Sequence, residues 1–172
     1  MTEQLYYTIY RELRISNYKG EFKKEVKKSR NYETGGILLG TVLKTNDVLI
    51  THAIGPGPKA IKKQKEFQKD YDYSFRILNL LYKKYSVDFL GEWHKHPSNC
   101  IQYSQKDFES MIRISSINTL PCFFIIVGND FIDVGSKYIK IYSVDIDGIL
   151  INKHSFAIIN HPEKLALEKG ML

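Results

Sequence analysis

Residues 91 to 107 read GEWHKHPSNCIQYSQKD, and this stretch carries His94, His96 and Asp107 close together. Side chains alternate between faces along an extended chain, so the two histidines point the same way only if they lie on a strand. The short apolar run of residues 87 to 94, which lies between a helical pattern and a proline, favours a central strand. The stretch therefore predicts a strand, a loop and a helix that brings Asp107 back to the histidines.

The alternation also assigns the neighbouring side chains of this strand. Leu90 and Glu92 are predicted to share the face of the histidines, whereas Trp93 points to the opposite face and is expected in the core. Glu92 is expected to orient an imidazole or to form an internal ion pair.

The rest of the chain alternates between helical and strand patterns, without internal repeats or low-complexity linkers. The patterns predict a short helix over 20–30; a hairpin of strands Gly36–Leu43 and Val48–Ile54 with a turn at 44–47; a lysine-rich loop after the Gly-Pro pairs at 55–58; helices at 70–85 and 104–115; and strands at 120–128, 138–144 and 149–159, with a turn at Asp147-Gly148. This order predicts an α/β (α+β) fold in which a central mixed β-sheet is flanked by helices. We expect a single domain over residues 1–172, with a loose tail at about 161–172.

The composition is that of an ordinary globular protein, with 43% apolar and 26% charged residues among 172. Cys100 and Cys122 are too few for a disulfide framework, and neither an N-terminal signal pattern nor an apolar run long enough to cross a membrane is present. We therefore expect a cytoplasmic protein without a membrane partner. The net charge of +6 comes from lysines mixed with glutamates, which favours solvated surfaces over a nucleic-acid partner.

The chemistry of the opening stretch indicates a metal site. Two neutral imidazoles and one carboxylate leave a fourth tetrahedral position open for water, as in catalytic zinc sites; structural zinc sites favour four ligands and cysteine. Cys100 lies between the candidate ligands, but a fourth protein ligand would close the site.

The spacing of these residues resembles a known family. HKHPSNCIQYSQKD has the form H-x-H-P-x6-S-x2-D, which is the signature of the JAMM, or MPN-plus, metalloproteases, and it adds Pro97 and Ser104 to the pattern. Upstream, ETGGILLG at 33–40 is similar to the glutamate segment of that family. GEWHKHP, together with GPGPKA before the long helix, is most similar to the bacterial JAB-domain subgroup, and the resemblance covers about residues 33–128.

The resemblance implies a cytidine-deaminase-like architecture and a zinc-dependent protease. Such enzymes cut peptide or isopeptide bonds, often after the C-terminal tail of a ubiquitin-like protein, and bacterial relatives occur in anti-phage systems. Carried over by position, the zinc ligands are His94, His96 and Asp107, the general base is Glu33, and Ser104 supports the oxyanion.

Each of these roles has a simpler alternative. Glu33 would otherwise be a polar residue before a strand, with Glu92 as the rival base. Ser104 is a natural N-cap of the following helix. If Asp107 binds zinc, we expect its carboxylate not to complete a capping box with that serine.

A solvated loop is the simpler interpretation of residues 59–65, although their lysines suit an acidic or ubiquitin-like partner.

The remaining histidines are not expected to bind the metal, and two other functions suit the same motif. His52, His154 and His161 lack partners at metal-binding spacing and are interpreted as ordinary core or surface residues. One alternative function is a zinc hydrolase that acts on a small-molecule or sulfur-carrier conjugate, and another is a metal-free scaffold of the same fold. A zinc deaminase is disfavoured because its H-x-E and P-C-x-x-C patterns are absent: Pro121-Cys122 is followed by Phe-Phe-Ile at 123–125, without a second cysteine.

Overall fold

The computed structural model of the chain describes residues 8–11, 19–42, 48–119, 122–130, 135–145, 147–151 and 155–158. In these ranges the strands are β1 (Thr8–Arg11), β2 (Thr34–Val42), β3 (Val48–Ala53), β4 (Ile61–Lys62), β5 (Phe67–Gln68), β6 (Asp88–Lys95), β7 (Cys122–Val127), β8 (Ile139–Val144), β9 (Leu150–Ile151) and β10 (Ser155–Ile158). The helices are α1 (Lys19–Lys28), α2 (Tyr71–Tyr85) and α3 (Gln105–Ser116), with a short 3₁₀ helix at Gly135–Tyr138.

A mixed sheet forms the centre of the fold. Its order among the described strands is β10-β1-β3-β2-β6-β7-β8-β9, with β4 and β5 as a separate hairpin. The central pairs are antiparallel β2–β6 and parallel β6–β7, and α3 makes the crossover between the two parallel strands. Every residue of β7 is buried, as expected for a strand covered on both faces. The predicted mixed sheet flanked by helices is confirmed.

The helices cover both faces of the sheet. Val26 of α1 packs in a cluster with Leu38 and Trp93 on one face. On the other face, Leu81 of α2 and Met111 of α3 pack in two clusters that share Phe89. Trp93 is 1% exposed, and its indole N–H donates to the carbonyl oxygen of Ile54 at 2.8 Å, so the prediction that it belongs to the core is confirmed.

A β-bulge in β6 corrects the assignment of Leu90. Gly91 pairs with Leu38 and Phe89 pairs with Leu39, so Leu90 has no partner of its own on β2. The extra residue reverses the alternation, and Leu90 lies in the cluster of Trp93 rather than on the face of the histidines. The prediction for Leu90 was therefore wrong.

Other expectations differ from the structure at the edges of the sheet. The predicted lysine-rich loop contains the β4–β5 hairpin. The single strand predicted over 149–159 is two strands at opposite edges, because β9 pairs with β8 and β10 pairs with β1. The turn before β9 is confirmed, with Gly148 at φ +79°. Strand β1, which lies between β10 and β3, was not predicted. The turn at 44–47, His154, His161 and the tail at 161–172 lie outside the described residues.

None of the helices among the described residues is both long enough and apolar enough to cross a membrane.

Candidate metal centre

Three potential metal ligands meet at one end of the central strands. His94 lies in β6, His96 follows the last residue of β6, and Asp107 lies in the first turn of α3. One ligand atom from each residue lies within 4.8 Å of the other two, and the imidazole centroids are 4.9 Å apart. The strand, loop and helix predicted from the sequence thus bring these side chains together.

The imidazole of His94 is suited to bind a metal as a neutral ligand. Its Nε2 atom is buried and has no hydrogen-bond partner among the described residues. Burial lowers the pKa of His94 to about 4, so the ring is neutral at physiological pH. A buried nitrogen without a partner is costly, and a metal ion would supply the missing contact.

His96 is held in one orientation by its loop. Its Nδ1 atom lies 2.8 Å from the backbone oxygen of Cys100, which leaves Nε2 facing Oδ2 of Asp107 at 3.4 Å. An N–H at Nδ1 that donates to a carbonyl fixes the tautomer with a free lone pair at Nε2. Burial acts to lower the pKa of His96, but Asp107 and the Cys100 carbonyl leave it raised. Cys100 contributes its carbonyl oxygen to this arrangement and is not part of the ligand cluster among the described residues.

Asp107 and Ser104 form a complete capping box at the start of α3. The Ser104 backbone N–H donates to Asp107 Oδ2 at 2.7 Å, and the Asp107 N–H donates to Ser104 Oγ at 3.2 Å. The oxygen that accepts in the cap also faces His96, so the cap and the ligand cluster share it. That a zinc-bound Asp107 does not complete the capping box stays a prediction. Burial acts to raise the pKa of Asp107, but His96, His94 and Ser104 hold it well below its ordinary value.

Glu33 faces the cluster from the start of β2. The register that pairs Thr34 with Lys95 places residue 33 beside the end of β6. Glu33 Oε2 lies 3.8 Å from His94 Nε2, and the Glu33 backbone N–H donates to the carbonyl oxygen of Lys63 at 2.8 Å. Burial raises its pKa, an effect that His96 partly opposes. A carboxylate of raised pKa beside a candidate metal site is suited to accept a proton.

Glu92, the rival base, is engaged elsewhere. Its carboxylate forms an ion pair with the ammonium of Lys69, and both side chains are largely buried. The expectation of an internal ion pair is therefore confirmed. The ion pair directs this carboxylate to Lys69, whereas Glu33 faces the ligand cluster.

Two cavities flank the cluster. One, of about 220 Å³, is lined by Phe67, Glu92 and His94 among others, and the Phe67 ring meets His94 edge-on at 6.0 Å between centroids. The other, of about 480 Å³, is lined by His96 and Ser104 among others. Glu33 lines both cavities. An extended chain that crosses from one to the other would therefore pass Glu33.

The sequence interpretation missed Lys95, which lies between the two histidines. Its side chain points to the opposite face of β6, is 0% exposed, and donates to three backbone carbonyl oxygens before Glu33. The available signal was a lysine at an inward position of a central strand, where an ammonium must find partners. Burial lowers its pKa to about 8, against the effect of Glu25 and Glu33.

Comparisons with known proteins find relatives that are named isopeptidases or a metalloprotease. A CD-NTase/cGAS isopeptidase of Escherichia coli (strain TW11681) is 28% identical over 107 residues, which are 61% of this chain and 67% of the relative. The probable metalloprotease y4qB of Sinorhizobium fredii is 31% identical over 77 residues, 44% of this chain and 47% of that protein. A CD-NTase/cGAS isopeptidase of Enterobacter hormaechei is 29% identical over 102 residues, 57% of this chain and 56% of the relative.

The aligned stretches thus span about half to two thirds of the length of these curated relatives. The solution structure of protein DSY2949 from Desulfitobacterium hafniense superposes with a TM-score of 0.60 at 14% identity, over 90% of this chain and 94% of that one, which supports the fold alone. No protein-family model matches the chain.

The relatives' names indicate an isopeptidase or metalloprotease, and hence a hydrolase, and the name metalloprotease implies a metal ion. Together with the motif, these names support a bacterial JAB/MPN-like metalloprotease family.

Proposed function

We propose that the chain is a zinc-dependent hydrolase that cuts a peptide or isopeptide bond after the C-terminal tail of a ubiquitin-like protein. The observation that carries this proposal is the convergence of His94, His96 and Asp107, with Glu33 facing the same point. An N2O donor set with no cysteine matches catalytic zinc sites.

In this proposal the three ligands hold one zinc ion. His94 and His96 offer neutral imidazole nitrogens, and Asp107 offers the charged oxygen. When bound, zinc supplies a Lewis acid that brings the pKa of a water molecule down to about 7.

Two further side chains complete the chemistry. Glu33 accepts the proton of the attacking water and later delivers it to the leaving amine, a role typically worth about 10² to 10⁴ in rate. The hydroxyl oxygen of Ser104 accepts the Asp107 N–H, so its own hydrogen is available to donate to the oxyanion.

The substrate class is supported by the relatives and by the shape of the site. Two relatives are named isopeptidases for CD-NTase/cGAS, which supports a protein conjugate as the substrate and an anti-phage setting. The cavities on either side of Glu33 provide room for an acyl tail and for the amine-bearing partner. That the tail belongs to a ubiquitin-like protein is the part of the proposal that rests on the resemblance to the JAMM family.

The test is hydrolysis of fusions in which a candidate ubiquitin-like protein carries a C-terminal extension, with the cut mapped by intact mass. We expect cleavage after the terminal residue of the ubiquitin-like tail. Glu33→Gln should retain zinc and lose about 10² to 10⁴ in kcat/KM, whereas His94→Ala should lose both zinc and activity.

Two controls sharpen this test. Glu109→Gln, at an exposed residue of α3 that accepts from Gln105, should leave the rate unchanged. Glu92→Gln should cost far less than Glu33→Gln, and the reverse order would transfer the base role to Glu92. Less than half an equivalent of zinc in protein purified without chelator would instead favour the scaffold function.

A further inference from the structure

The side chain of Lys95 makes an unusual set of contacts for a lysine. It is fully buried, and its Nζ atom donates to the carbonyl oxygens of Ser29 at 2.8 Å, Arg30 at 3.2 Å and Tyr32 at 3.3 Å. An ammonium has three hydrogens, so each of them has an acceptor.

The three acceptors belong to the turn that ends α1 and leads into Glu33. Carbonyl groups at a helix C-terminus lack partners within the helix and attract cations. The turn is therefore bound to β6 by one charged group. That group branches from the chain between His94 and His96, on the face opposite to the imidazoles.

The segment after Glu33 is bound in a similar way. The carboxylate oxygen Oε1 of Glu25 accepts from Ser29 Oγ at 2.6 Å, from Thr34 Oγ1 at 2.7 Å and from Lys62 Nζ at 2.8 Å. Thr34 directly follows Glu33, and Lys62 belongs to the hairpin whose next residue accepts the Glu33 N–H. Glu33 thus lies between two polar anchors of a partly buried network.

We propose that Lys95 is a positioning residue that fixes Glu33 relative to the two histidines. Lys95 lies between the two histidines in the chain, and its side chain holds the turn that precedes Glu33. One residue therefore positions both the general base and the two imidazole ligands. This inference rests on the proposed function, in which Glu33 is the general base. A displacement of about 1 Å at a reacting group can cost about 10²-fold in rate.

The decisive variant is Lys95→Met, which keeps an unbranched chain and removes the ammonium. Bound zinc should stay at the wild-type stoichiometry, because His94, His96 and Asp107 are intact. We expect kcat for the fusion substrate to fall about 10- to 10²-fold while KM changes less than about twofold. Loss of zinc, or an unchanged kcat, would overturn the proposal.

A second readout does not depend on hydrolysis. Hydrogen exchange of the Glu33 amide, measured by NMR on the zinc-loaded protein, should be at least about tenfold faster in Lys95→Met, because the turn is released and the bond to Lys63 weakens. An unchanged exchange rate of the Glu33 amide contradicts the positioning role of Lys95, whether or not the wild type cleaves the fusion. Absence of cleavage by the wild type, in contrast, contradicts only the proposed function.

Val26→Ala is the matched control. It creates a cavity under the same helix α1 and leaves the contacts of Lys95 in place. It should lower stability while preserving kcat and the exchange rate of the Glu33 amide. Equal losses in both variants would show that Lys95 acts only through the stability of α1. If Lys95→Met does not fold, Lys95→Gln takes its place. Its amide keeps an N–H donor, so kcat should fall by less than the range given for Lys95→Met. An unchanged kcat in Lys95→Gln would also overturn the proposal.

Discussion

At the scale of single residues, burial shifts the pKa values of His94 and Glu33 in opposite directions, and each shift suits the proposed role of the residue. It lowers the pKa of His94, so the imidazole keeps a lone pair for a metal, and it raises the pKa of Glu33, so the carboxylate binds a proton more readily. The rival Glu92 has the same chemical group and lines the same cavity, but its ion pair with Lys69 occupies it. The surroundings of each side chain, rather than its type, separate these roles.

Ser104 is expected to serve both the helix and the reaction. Ser104→Ala should lower the free energy of unfolding by about 1 kcal/mol, because α3 loses its N-cap, and should lower kcat by about 10² to 10³. Asp70→Ala removes the N-cap of α2, where Asp70 accepts from the Tyr73 N–H at 3.0 Å, and should cost similar stability without loss of kcat. Equal kcat in the two variants, measured with chemical denaturation in parallel, would restrict Ser104 to its structural role.

At the scale of elements, the bulge in β6 and the start of α3 place the ligands. Gly91 has φ +141°, and a Cβ atom there would lie 1.8 Å from the backbone oxygen of Phe123. Only glycine therefore allows β6 to approach β7 at the point where its side-chain alternation reverses. The consequence is that Trp93 points into the core while His94 points to the side of α2 and α3.

Gly91→Ala should consequently destabilise the fold by more than about 3 kcal/mol, since strained backbone and steric overlap add. Gly148→Ala is the control, because Gly148 also has a positive φ, +79°, yet a Cβ atom there would meet nothing within 4 Å. It should cost about 1 to 2 kcal/mol. Comparable unfolding midpoints for the two variants would contradict the close approach of β6 and β7.

At the scale of the whole molecule, the strand order brings distant segments of sequence to one end of the central strands. Antiparallel β2 and β6 place residue 33 beside the histidines, and the parallel pair β6–β7 requires the crossover helix α3, whose first turn carries Asp107. The β4–β5 hairpin closes one side through the bond from Glu33 to Lys63. The site is therefore a product of topology, and its stability depends on that of the sheet.

The stability of the fold should depend on pH through His52, which is 2% exposed. Burial lowers its pKa from 6.5 to about 4. As the pH falls, the unfolded chain therefore binds a proton on His52 before the folded protein does. The free energy of unfolding is unaffected by His52 above pH 6.5 and decreases as the pH falls from 6.5 towards 4. The loss is about 3 kcal/mol. His52→Leu should remove that part of the pH dependence of unfolding; an unchanged slope against the wild type would contradict it.

The convergence of His94, His96 and Asp107 could be predicted from the sequence, because one strand, one loop and one helix turn connect them. The roles of Glu33 and Ser104 follow from the resemblance to the JAMM family and stay predictions. The position of Leu90 could not, since a bulge depends on register with a neighbouring strand. Lys95 was missed because its acceptors are backbone groups, which carry no sequence pattern. Strand β1 was missed because its four residues give no local signal. The division of 149–159 into β9 and β10 was missed because it depends on the pairing of β10 with β1, which is distant in the sequence.

The most direct measurement is anomalous diffraction at the zinc edge from crystals grown with Zn²⁺. We expect one strong peak about 2.0 to 2.2 Å from a nitrogen of His94, a nitrogen of His96 and a carboxylate oxygen of Asp107, with Glu33 outside bonding distance. A peak elsewhere, or none at this cluster, would contradict the assignment of these residues as a catalytic metal centre.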